Sequence, residues 1–306
     1  MKGFRQSAIK KNIGLRSQIL QAIRRFFFEQ NFLEIETPNR IPAPAPETHI
    51  EAFASESWFL HTSPELCMKR LVTAGFSRIF QICKCYRQNE RGDKHLPELT
   101  LLEWYCTETN YLDMMVQTES LIKHVAKVTG HEDFISYQGT PVDLNSPWPR
   151  ISVADAFDKW TSSSMEMALR NDSFDELMVC DIEPKLDRNR PIFLYDYPAS
   201  QASLAKLRSD NRLLAERFEL YIGGLELCNA FSELTDAGEQ RKRFEAAQNA
   251  RRKSGKQFYP MPEKFLECLG LMPEAAGNAL GVDRLVMLFA DTPKIDDIVA
   301  FTPEEL

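Results

Sequence analysis

The chain has 306 residues, of which 43% are hydrophobic and 26% charged, and its formal net charge is −7. This composition is that of a globular protein with a sizeable core, in one large domain or two smaller ones. The negative charge argues against general affinity for nucleic acids, because binding to phosphates requires a basic field. No apolar run is long enough to cross a membrane, and the N-terminus lacks the apolar core of a secretory signal. We therefore expect a cytoplasmic protein.

The first predicted elements are a helix, a strand and a proline-rich loop. Residues 12–30 carry apolar side chains at helical spacing, and the short apolar run 32–35 predicts a strand. Prolines at every second position from 42 to 46 favour an extended loop. Ser63-Pro64-Glu65 then predicts the start of another helix, with serine as its cap and proline in its first turn. Capping alone explains these three residues.

Residues 86–105 place an arginine, a charged loop and an alternating strand in one run. A strand over about 79–87 ends on Arg87, and a second strand begins near Pro97, which predicts a hairpin. The side chains on one face of the second strand are Leu99, Leu101, Glu103 and Tyr105. The arginine at the rim can bind a phosphate or carboxylate, while the acidic floor can bind a cation. An ordinary hairpin with a solvated loop is the alternative.

The middle of the chain is mixed. A helix is predicted at about 111–129, and a mainly helical region at about 130–190 follows, which we interpret as an insertion. Strands return at 191–197 and at 216–234. Because helices and strands do not alternate regularly, we expect a single α+β domain over 1–306 with a largely antiparallel sheet.

The pair Gly223-Gly224 predicts a two-residue hairpin turn. In that hairpin, Glu219 and Glu226 become diagonal neighbours on one face, roughly 7–8 Å apart by backbone. Two carboxylates so placed can share a magnesium ion that nucleotide phosphates bring with them. Exposure of both on an open face, or pairing of one with Arg217, is the alternative.

The same register places residue 219 opposite Cys228. Strict alternation along the second strand then turns Glu233 away from Glu226. If both glutamates line one site, we expect a bulge near residues 228–230.

Near the C-terminus, residues 277–284 alternate small side chains on one strand face and end with Arg284 in the first turn of a helix. Small side chains let a ligand approach the backbone closely, and an arginine can stack on a flat ring or bind phosphate. Close packing of helix and strand is the alternative, since the glycine pattern is not the Rossmann fingerprint.

The seven cysteines include no Cys-x-x-Cys pair, and their odd number argues against a fully paired disulfide framework. We expect them to be reduced and mostly buried. Cys83 and Cys85 share a strand face, which we interpret as packing because no partner residues have zinc spacing in the sequence.

Taken together, these segments resemble the class II aminoacyl-tRNA synthetases of the lysine type over nearly the whole chain. Residues 34–38 resemble the first motif of that family, which builds the dimer interface, 86–105 the second and 277–284 the third. Residues 63–65 and 226–233 resemble lysine-enzyme signatures between them. The resemblance implies an antiparallel sheet flanked by helices, ATP and Mg²⁺ as cofactors, and a homodimer.

Residues 195–205 and Ala279 look most like the branch of this family that modifies elongation factor P. That resemblance implies activation of (R)-β-lysine, or lysine, as an acyl-adenylate and its transfer to a lysine side chain of elongation factor P. The first motif lies within the first forty residues, so we expect no anticodon-binding domain, which argues against tRNA as a partner. A stand-alone lysine ligase for tRNA or another acceptor, and a catalytically inactive regulator, are the alternatives.

Matching to the family also implies a role for each site residue. The catalytic residues are Arg87 and Arg284, and Glu219 and Glu226 hold the metal. The nucleotide contacts are Arg87, Asn89, Glu90, His95, Leu99, Glu226, Leu227, Gly281 and Arg284. The contacts to the amino acid are Ser63, Pro64, Glu65, Glu103, Tyr105, Asn229, Glu233 and Ala279.

Three positions depart from the family pattern. Asn89 stands where the family has the glutamate that receives the adenine amine, and Glu90 follows it, so either residue can take this role. Leu99 replaces the phenylalanine that stacks on adenine, which forfeits about 0.5–1.5 kcal/mol. Ala279 adds a methyl group where lysyl-tRNA synthetases have glycine, and we hypothesise that it favours the shifted amino group of β-lysine.

Overall fold

The computed structural model of the chain describes residues 4–145 and 147–306. The strands in these residues form one large sheet and two small ones. In chain order they are β1 Leu33–Glu34, β2 Arg40–Ile41, β3 Ala54–Ser55, β4 Trp58–Leu60, β5 Arg78–Tyr86, β6 Glu98–Thr107, β7 Phe134–Tyr137, β8 Thr140–Asp143, β9 Arg150–Ser152, β10 Ile192–Pro198, β11 Leu214–Ile222, β12 Leu225–Ser232 and β13 Ala275–Gly281.

The large sheet has eight strands in the order β1-β5-β6-β13-β12-β11-β10-β9. All neighbouring pairs from β5 to β10 in this order are antiparallel. At the edges, β1 joins β5 and β9 joins β10 in parallel. The predicted α+β fold with a largely antiparallel sheet is confirmed.

Helices flank this sheet. In chain order they are α1 Arg5–Ala8, α2 Lys10–Glu29, α3 Glu65–Thr73, α4 Tyr111–Val128, α5 Val153–Trp160, α6 Met165–Arg170, α7 Phe174–Leu177, α8 Ala237–Lys253, α9 Glu263–Leu269 and α10 Val282–Phe289. Short π or 3-10 turns lie at Met178–Ile182, Glu183–Lys185, Ala199–Gln201, Ile295–Ile298 and Pro303–Glu305. None of the described helices combines the length and the hydrophobicity that crossing a membrane requires.

The two longest predicted helices, α2 and α4, lie against each other on one face of the large sheet. In α2, the apolar side chains at helical spacing are buried, and Phe27 stacks on Phe80 of β5 with 4.7 Å between ring centroids. A capping box starts α4, since the Asn110 side chain accepts from the Asp113 backbone and the Asp113 side chain accepts from the Asn110 backbone. Both helices therefore follow from local sequence signals.

The two faces of the large sheet bury different groups. Leu102, Trp104 and Leu280 point into the main apolar core. Because side chains alternate along a strand, Glu103 and Ala279 point to the opposite face, where they line a cavity. Helices α3, α8 and α9 cover one end of that second face through a separate apolar cluster.

The region of about 130–190, predicted to be mainly helical, is helical only in its second half. A tight turn at Gln138-Gly139, with φ of 52° and 75°, joins β7 to β8, and β9 follows at the edge of the large sheet. The prediction is therefore wrong for β7, β8 and β9. Helices α5 to α7 then bury Phe157 and Phe174 in one apolar cluster with Leu194 of β10. The interpretation of the region as an insertion stays a prediction.

The turn at Gly223-Gly224 joins β11 to β12 as predicted. The two glycines have φ of 60° and 81°, a region that glycine occupies without strain. A Cβ atom on Gly223 would lie 2.8 Å from the Tyr137 ring, so any other residue there would also displace β7.

A bulge follows this turn on β12. Tyr221 pairs with Glu226 but Leu220 pairs with Cys228, which makes Leu227 the extra residue. The bulge expected near 228–230 is therefore present, and the extra residue directly precedes that range. Glu219 faces Asn229 for the same reason, and not Cys228 as the regular register predicted.

Candidate active site

A cavity of about 230 Å³ opens on the second face of the large sheet, over the ends of β5, β6, β12 and β13. Most of the predicted site residues line it, namely Ser63, Glu65, Arg87, Glu90, His95, Leu99, Glu103, Tyr105, Glu226, Leu227, Asn229, Ala279, Gly281 and Arg284. Four predicted residues do not line it, and these are Pro64, Asn89, Glu219 and Glu233. The motifs that are far apart in the sequence therefore meet at one place.

Strand pairing forms the floor of this cavity. Across three strands, Glu103 of β6 is paired with Ala279 of β13, which is paired with Asn229 of β12. Because paired residues share a sheet face, the acid, the methyl group and the amide lie side by side. Ala279 therefore lies between the two polar groups that the family resemblance assigns to the amino acid.

Gly277 is one floor position where no side chain fits. A Cβ atom there would lie 2.3 Å from Cε1 of Tyr105 and 2.5 Å from Oε1 of Glu233. The sequence predicted that small residues of this strand let a ligand approach the backbone. Gly277 also lines the cavity, but the Tyr105 ring and the Glu233 carboxylate already lie close to its backbone, and ligand approach at this residue stays a prediction.

The substitution Gly277→Ala is therefore expected to displace Tyr105 and Glu233 and to lower the free energy of unfolding by about 1–3 kcal/mol. Chemical denaturation measures this change. Gly270→Ala is the matched control, because no atom lies within 4 Å of a Cβ there. Equal loss of stability in both variants would contradict the close contact at Gly277.

One end of the cavity is acidic and deeply buried. Glu103 accepts hydrogen bonds from the hydroxyl of Ser63 at 2.5 Å and from that of Tyr105 at 3.1 Å. Burial raises the pKa of Glu103 well above its usual range, and the neighbouring Glu65 raises it further. A cation in this part of the cavity would offset both effects.

The Lys69 side chain, which the sequence analysis missed, lies behind this acidic end. It is fully buried on α3 and contacts Glu65 at 2.6 Å and Glu233 at 2.5 Å. The neighbouring carboxylates raise the pKa of Lys69 against the effect of burial, while burial raises the pKa of Glu233 to about 8. The i,i+4 spacing of Glu65 and Lys69 on a predicted helix is a signal that could have revealed the lysine.

These contacts leave the acidic end with more negative than positive groups. Glu65, Glu103 and Glu233 are three carboxyls with one buried ammonium, that of Lys69, among them. Glu233 does not line the cavity and acts on it from behind Glu65 and Lys69. This charge balance favours a ligand with at least one ammonium group.

The opposite end of the cavity is basic. Arg284 of α10 donates to the carboxylate of Glu226 at 3.1 Å and to Nε2 of His95 at 2.6 Å. Burial lowers the pKa of His95, and Arg284 lowers it further, so the neutral ring accepts this hydrogen bond. Among the described residues, the guanidinium of Arg87 has only long contacts, 3.4 Å to the Thr62 carbonyl and 3.9 Å to Glu90.

The structure distinguishes the two candidate residues for the adenine amine. Asn89 is exposed, occupies a left-handed backbone conformation with φ of 67° and does not line the cavity. Glu90 is half-buried and lines it. Asn89 therefore lies outside the cavity lining, and its assignment as a nucleotide contact stays a prediction.

The predicted metal ligand Glu219 has several protein partners. One carboxylate oxygen accepts from Arg217 at 2.6 Å, and the other accepts from the hydroxyls of Tyr197 and Tyr221 at 2.7 Å and 2.8 Å. The pairing with Arg217 was the alternative left open by the sequence. Burial raises the pKa of Glu219, and the charge of Glu226 raises it further.

The chemical character of Glu219 and Glu226 is suited to binding a divalent cation. Carboxylates are the oxygen ligands that Mg²⁺ prefers, and a cation beside this pair would offset the charge of Glu226 that raises the pKa of Glu219. Each oxygen of Glu219 also has lone pairs beyond those its donors use.

A second, larger groove adjoins the cavity. Its volume is about 680 Å³, and it runs between α8 and the loop after β2. The two cavities share Glu47, Glu65, Asn229 and Phe231 in their linings. The site thus has a second opening that the sequence did not indicate.

Glu47 lies where the two cavities meet. In the described part of the chain its carboxylate has no hydrogen bond and no ion pair, and burial raises its pKa to about 7. The raised pKa means that the folded protein holds this proton more tightly than the unfolded chain does. Stability from Glu47 is therefore present at acidic pH and is lost as the pH rises through 7.

The substitution Glu47→Gln is expected to remove this dependence and to make the protein more stable than the original at pH 8, by about 2 kcal/mol. At pH 4 the two proteins should have similar stability. Denaturation curves between pH 4 and 8 measure the difference. The exposed Glu166→Gln is the control, and a Glu47 variant whose stability parallels it at every pH would contradict the raised pKa.

Comparison with known proteins decides the family. The family model described as tRNA synthetases class II (D, K and N) matches residues 1–305. The chain belongs to this family. Class II synthetase membership makes the chain an ATP-using ligase, and it confirms the fold and the type of enzyme that the three motifs predicted.

Curated relatives within this family match along nearly the whole chain. Proteins named elongation factor P (R)-β-lysine ligase from Pectobacterium atrosepticum and Vibrio atlanticus are both 36% identical to it. The alignments cover 98% of the chain and 98% of the Pectobacterium protein, and 97% of both chains for the Vibrio protein. A relative of the same name from Salmonella gallinarum is also 36% identical, over 98% of the chain and 97% of that protein. The resemblance to the branch that modifies elongation factor P is thereby confirmed.

Proposed function

We propose that this class II ligase activates (R)-β-lysine with ATP and transfers it to a lysine side chain of elongation factor P. The observation that carries the proposal is the division of one cavity into a basic end, with Arg87 and Arg284, and an acidic end, with Glu65 and Glu103. The substrate has the same division, since it bears one carboxylate and two ammonium groups. The curated relatives are named for this substrate and this acceptor.

The acidic end selects the substrate by charge. Its excess of carboxyls over ammonium groups favours a diamine and repels the side chains of aspartate or glutamate. Glu103, Tyr105 and Glu233 are assigned to the distal ammonium, with Ser63 and Tyr105 holding the Glu103 carboxyl in place. Glu65 and Asn229 are assigned to the other amine.

Ala279 supports β-lysine over α-lysine. Its methyl group lies in the row between Glu103 and Asn229, and therefore occupies space on the floor beneath the substrate backbone. An amino group shifted by one carbon approaches this floor differently from an α-amino group. The methyl group would favour the isomer whose amine lies farther from the carboxylate.

The basic end carries out the activation step. Attack of the substrate carboxylate on the α-phosphate places additional negative charge on the reacting oxygens and releases pyrophosphate. Arg87 and Arg284 stabilise that charge, and they need little rearrangement because they already line the cavity. His95 and Glu226 orient Arg284, while Glu90 and Leu99 are assigned to the adenine ring.

Mg²⁺ is assigned to Glu219 and Glu226. When bound to the nucleotide phosphates, the ion supplies charge neutralisation and orientation. The protein's contribution is the fixed position of Glu219, which Arg217, Tyr197 and Tyr221 hold by hydrogen bonds.

Transfer requires a neutral amine on the acceptor lysine. That lysine reaches the acyl-adenylate through the groove beside α8, which opens onto the cavity at Glu47 and Glu65. The amine nitrogen attacks the acyl carbon, the bond to AMP breaks, and AMP leaves with the electron pair. Glu47, with its pKa of about 7, accepts the proton that the amine releases.

We also propose a cytoplasmic homodimer that does not act on tRNA. The edge strand β1 belongs to the segment that resembles the first family motif, and its Leu33 is 50% exposed. Phe28, which is 53% exposed, lies in the last turn of the neighbouring helix α2. Exposed apolar side chains on an edge strand and the adjacent helix are suited to a second copy of the chain.

The deciding experiment incubates the purified chain with elongation factor P, ATP and either (R)-β-lysine or α-lysine, and records intact mass. We expect the factor to gain one aminoacyl mass, faster with the β isomer. No mass gain with either isomer would reject the proposal. If tRNA were charged with lysine instead, the stand-alone lysine ligase would be the correct alternative, and absence of exchange of pyrophosphate into ATP would indicate an inactive regulator.

A further inference from the structure

A histidine and two cysteines form a compact cluster beside the cavity, on the same sheet face. Sγ of Cys83 lies 3.8 Å from Sγ of Cys85, which lies 4.0 Å from Nε2 of His61. All three potential ligand atoms lie within 4.8 Å of one another. The sequence interpretation of Cys83 and Cys85 as packing residues missed this arrangement, because His61 is 22 residues before the first of them and far from zinc spacing.

The geometry points to a binding site for a soft divalent metal ion, and we propose Zn²⁺ held by His61, Cys83 and Cys85. Two sulfur ligands about 2.3 Å from a tetrahedral zinc ion lie about 3.8 Å apart, which is the separation of Cys83 and Cys85. A sulfur and a nitrogen ligand lie about 3.6 Å apart in the same geometry, so His61 would approach Cys85 by a few tenths of an ångström and Cys83 by up to about 1 Å. Two thiolates and an imidazole favour zinc over magnesium or calcium.

The protonation states suit such an ion. The hydrogen bond from Cys85 and that from His61 lower the pKa of Cys83 to about 6, so a thiolate is available at neutral pH. Zinc would displace the proton of the second thiol, as it does at other cysteine sites. Nε2 of His61 now donates to the Lys84 carbonyl at 2.7 Å, so metal binding moves the ring proton to Nδ1.

The burial of the cluster and a neighbouring amide also support a zinc site. His61 and Cys85 are buried, while Cys83 is half-buried and leaves a path to solvent. Gln81 lies one position along the same face of β5 and hydrogen bonds to Cys83. Its buried Oε1 atom has no hydrogen-bond partner in the described residues, so it can accept from a water in the fourth zinc position.

The cluster lies next to two segments that carry residues of the candidate active site. Cys85 lies two residues before Arg87, and His61 lies two residues before Ser63. The Tyr86 backbone N–H already donates to the His61 carbonyl at 3.0 Å. An ion between these segments would fix the loop that starts α3 against the strand that carries Arg87.

The test titrates the metal-free full-length protein with Zn²⁺ in competition with a chromophoric chelator. We expect one zinc per chain, and binding more than tenfold weaker in Cys83→Ser and in Cys85→Ser. Cys180→Ser is the matched control, because Cys180 is exposed and outside the cluster, and it should bind zinc as the original does. Co²⁺ should give a thiolate charge-transfer band in the original protein that Cys83→Ser weakens.

Circular dichroism of each metal-free variant establishes that it is folded before the titration. Cys83→Ser is the more informative variant in this respect, since Cys83 is only half-buried. Uptake of zinc by the original protein that does not exceed uptake by the Cys83→Ser and Cys85→Ser variants would overturn the proposal. Equal loss of binding in Cys180→Ser would do so as well.

Discussion

Replacing Lys69 by methionine is expected to lower the free energy of unfolding by about 3–5 kcal/mol. The ammonium of Lys69 is 1% exposed and contacts the carboxylates of Glu65 and Glu233 at 2.6 Å and 2.5 Å. Methionine has a similar volume but no charge, so the substitution leaves two buried carboxyls without their cation. Their burial cost, and not the loss of an attractive pair, is the reason for the large effect.

Urea denaturation at pH 8 measures this change, because the carboxyls of the unfolded chain are charged there and the cost of burying them without Lys69 is larger than at acidic pH. Lys206→Met is the matched control, since Lys206 pairs with Glu274 at 2.7 Å but both side chains are exposed, at 39% and 82%. The control should lose less than about 1 kcal/mol. Adding Glu233→Gln to Lys69→Met should restore part of the stability. A Lys69 variant as stable as the Lys206 variant would contradict the role of Lys69 as the buried counter-ion.

Local signals in the sequence were sufficient for most of the fold. The helices α2 and α4 and the turn at Gly223-Gly224 each depend on neighbouring residues, and each forms near its expected position. The cavity floor was also accessible, because alternation along β6 placed Glu103 and Tyr105 on one face before any pairing was known.

The errors occurred where a distant element decides the outcome. The alternation of side chains along β12 showed that a bulge was needed on this strand. The position of the bulge depends on the pairing with β11. Gly277 could be identified as a small residue, yet only the fold shows that Tyr105 and Glu233 lie across it. Tertiary neighbours therefore changed the meaning of residues whose local structure was correctly predicted.

Residues with an electrostatic role were the hardest to find. Lys69 has its second partner, Glu233, on another element, and His61 lies beside two cysteines of β5. Glu47 gains its position only where the two cavities meet. Burial gives each of them its significance, because an ionisable group in water needs no partner. Sequence patterns report burial of apolar side chains well, but they do not report which polar side chain is buried beside them.

The second large effect is expected at Arg87, where substitution by alanine should slow exchange of pyrophosphate into ATP by about 10²–10³-fold. The guanidinium lines the cavity, is 24% exposed and has only long contacts with protein groups, so most of its hydrogen-bonding capacity is free for ligands. Without Arg87, the negative charge that develops on the reacting carboxylate and phosphate loses the cation that directly follows β5. The fold should persist, because Arg87 contributes no close ion pair.

Arg91→Ala is the matched control for this prediction. Arg91 stands in the same hairpin loop and is also an arginine, but its guanidinium is engaged with Asp296 at 2.9 Å and Glu304 at 2.8 Å, away from the cavity. Its loss should change exchange less than about threefold, because exposed ion pairs contribute little. If Arg87→Ala exchanged pyrophosphate into ATP as fast as Arg91→Ala, Arg87 would have no role in the reaction.

The kinetic constants of Arg87→Ala distinguish two ways in which the arginine can act. A residue that only holds the bound substrate raises KM and leaves kcat unchanged, whereas one that stabilises the developing charge lowers kcat as well. Arg87→Lys separates charge from geometry, because lysine keeps the positive charge but loses the planar fork that binds two oxygens at once. We expect Arg87→Lys to recover only a small part of kcat, since the arginine must reach a carboxylate and a phosphate that lie side by side in the reaction.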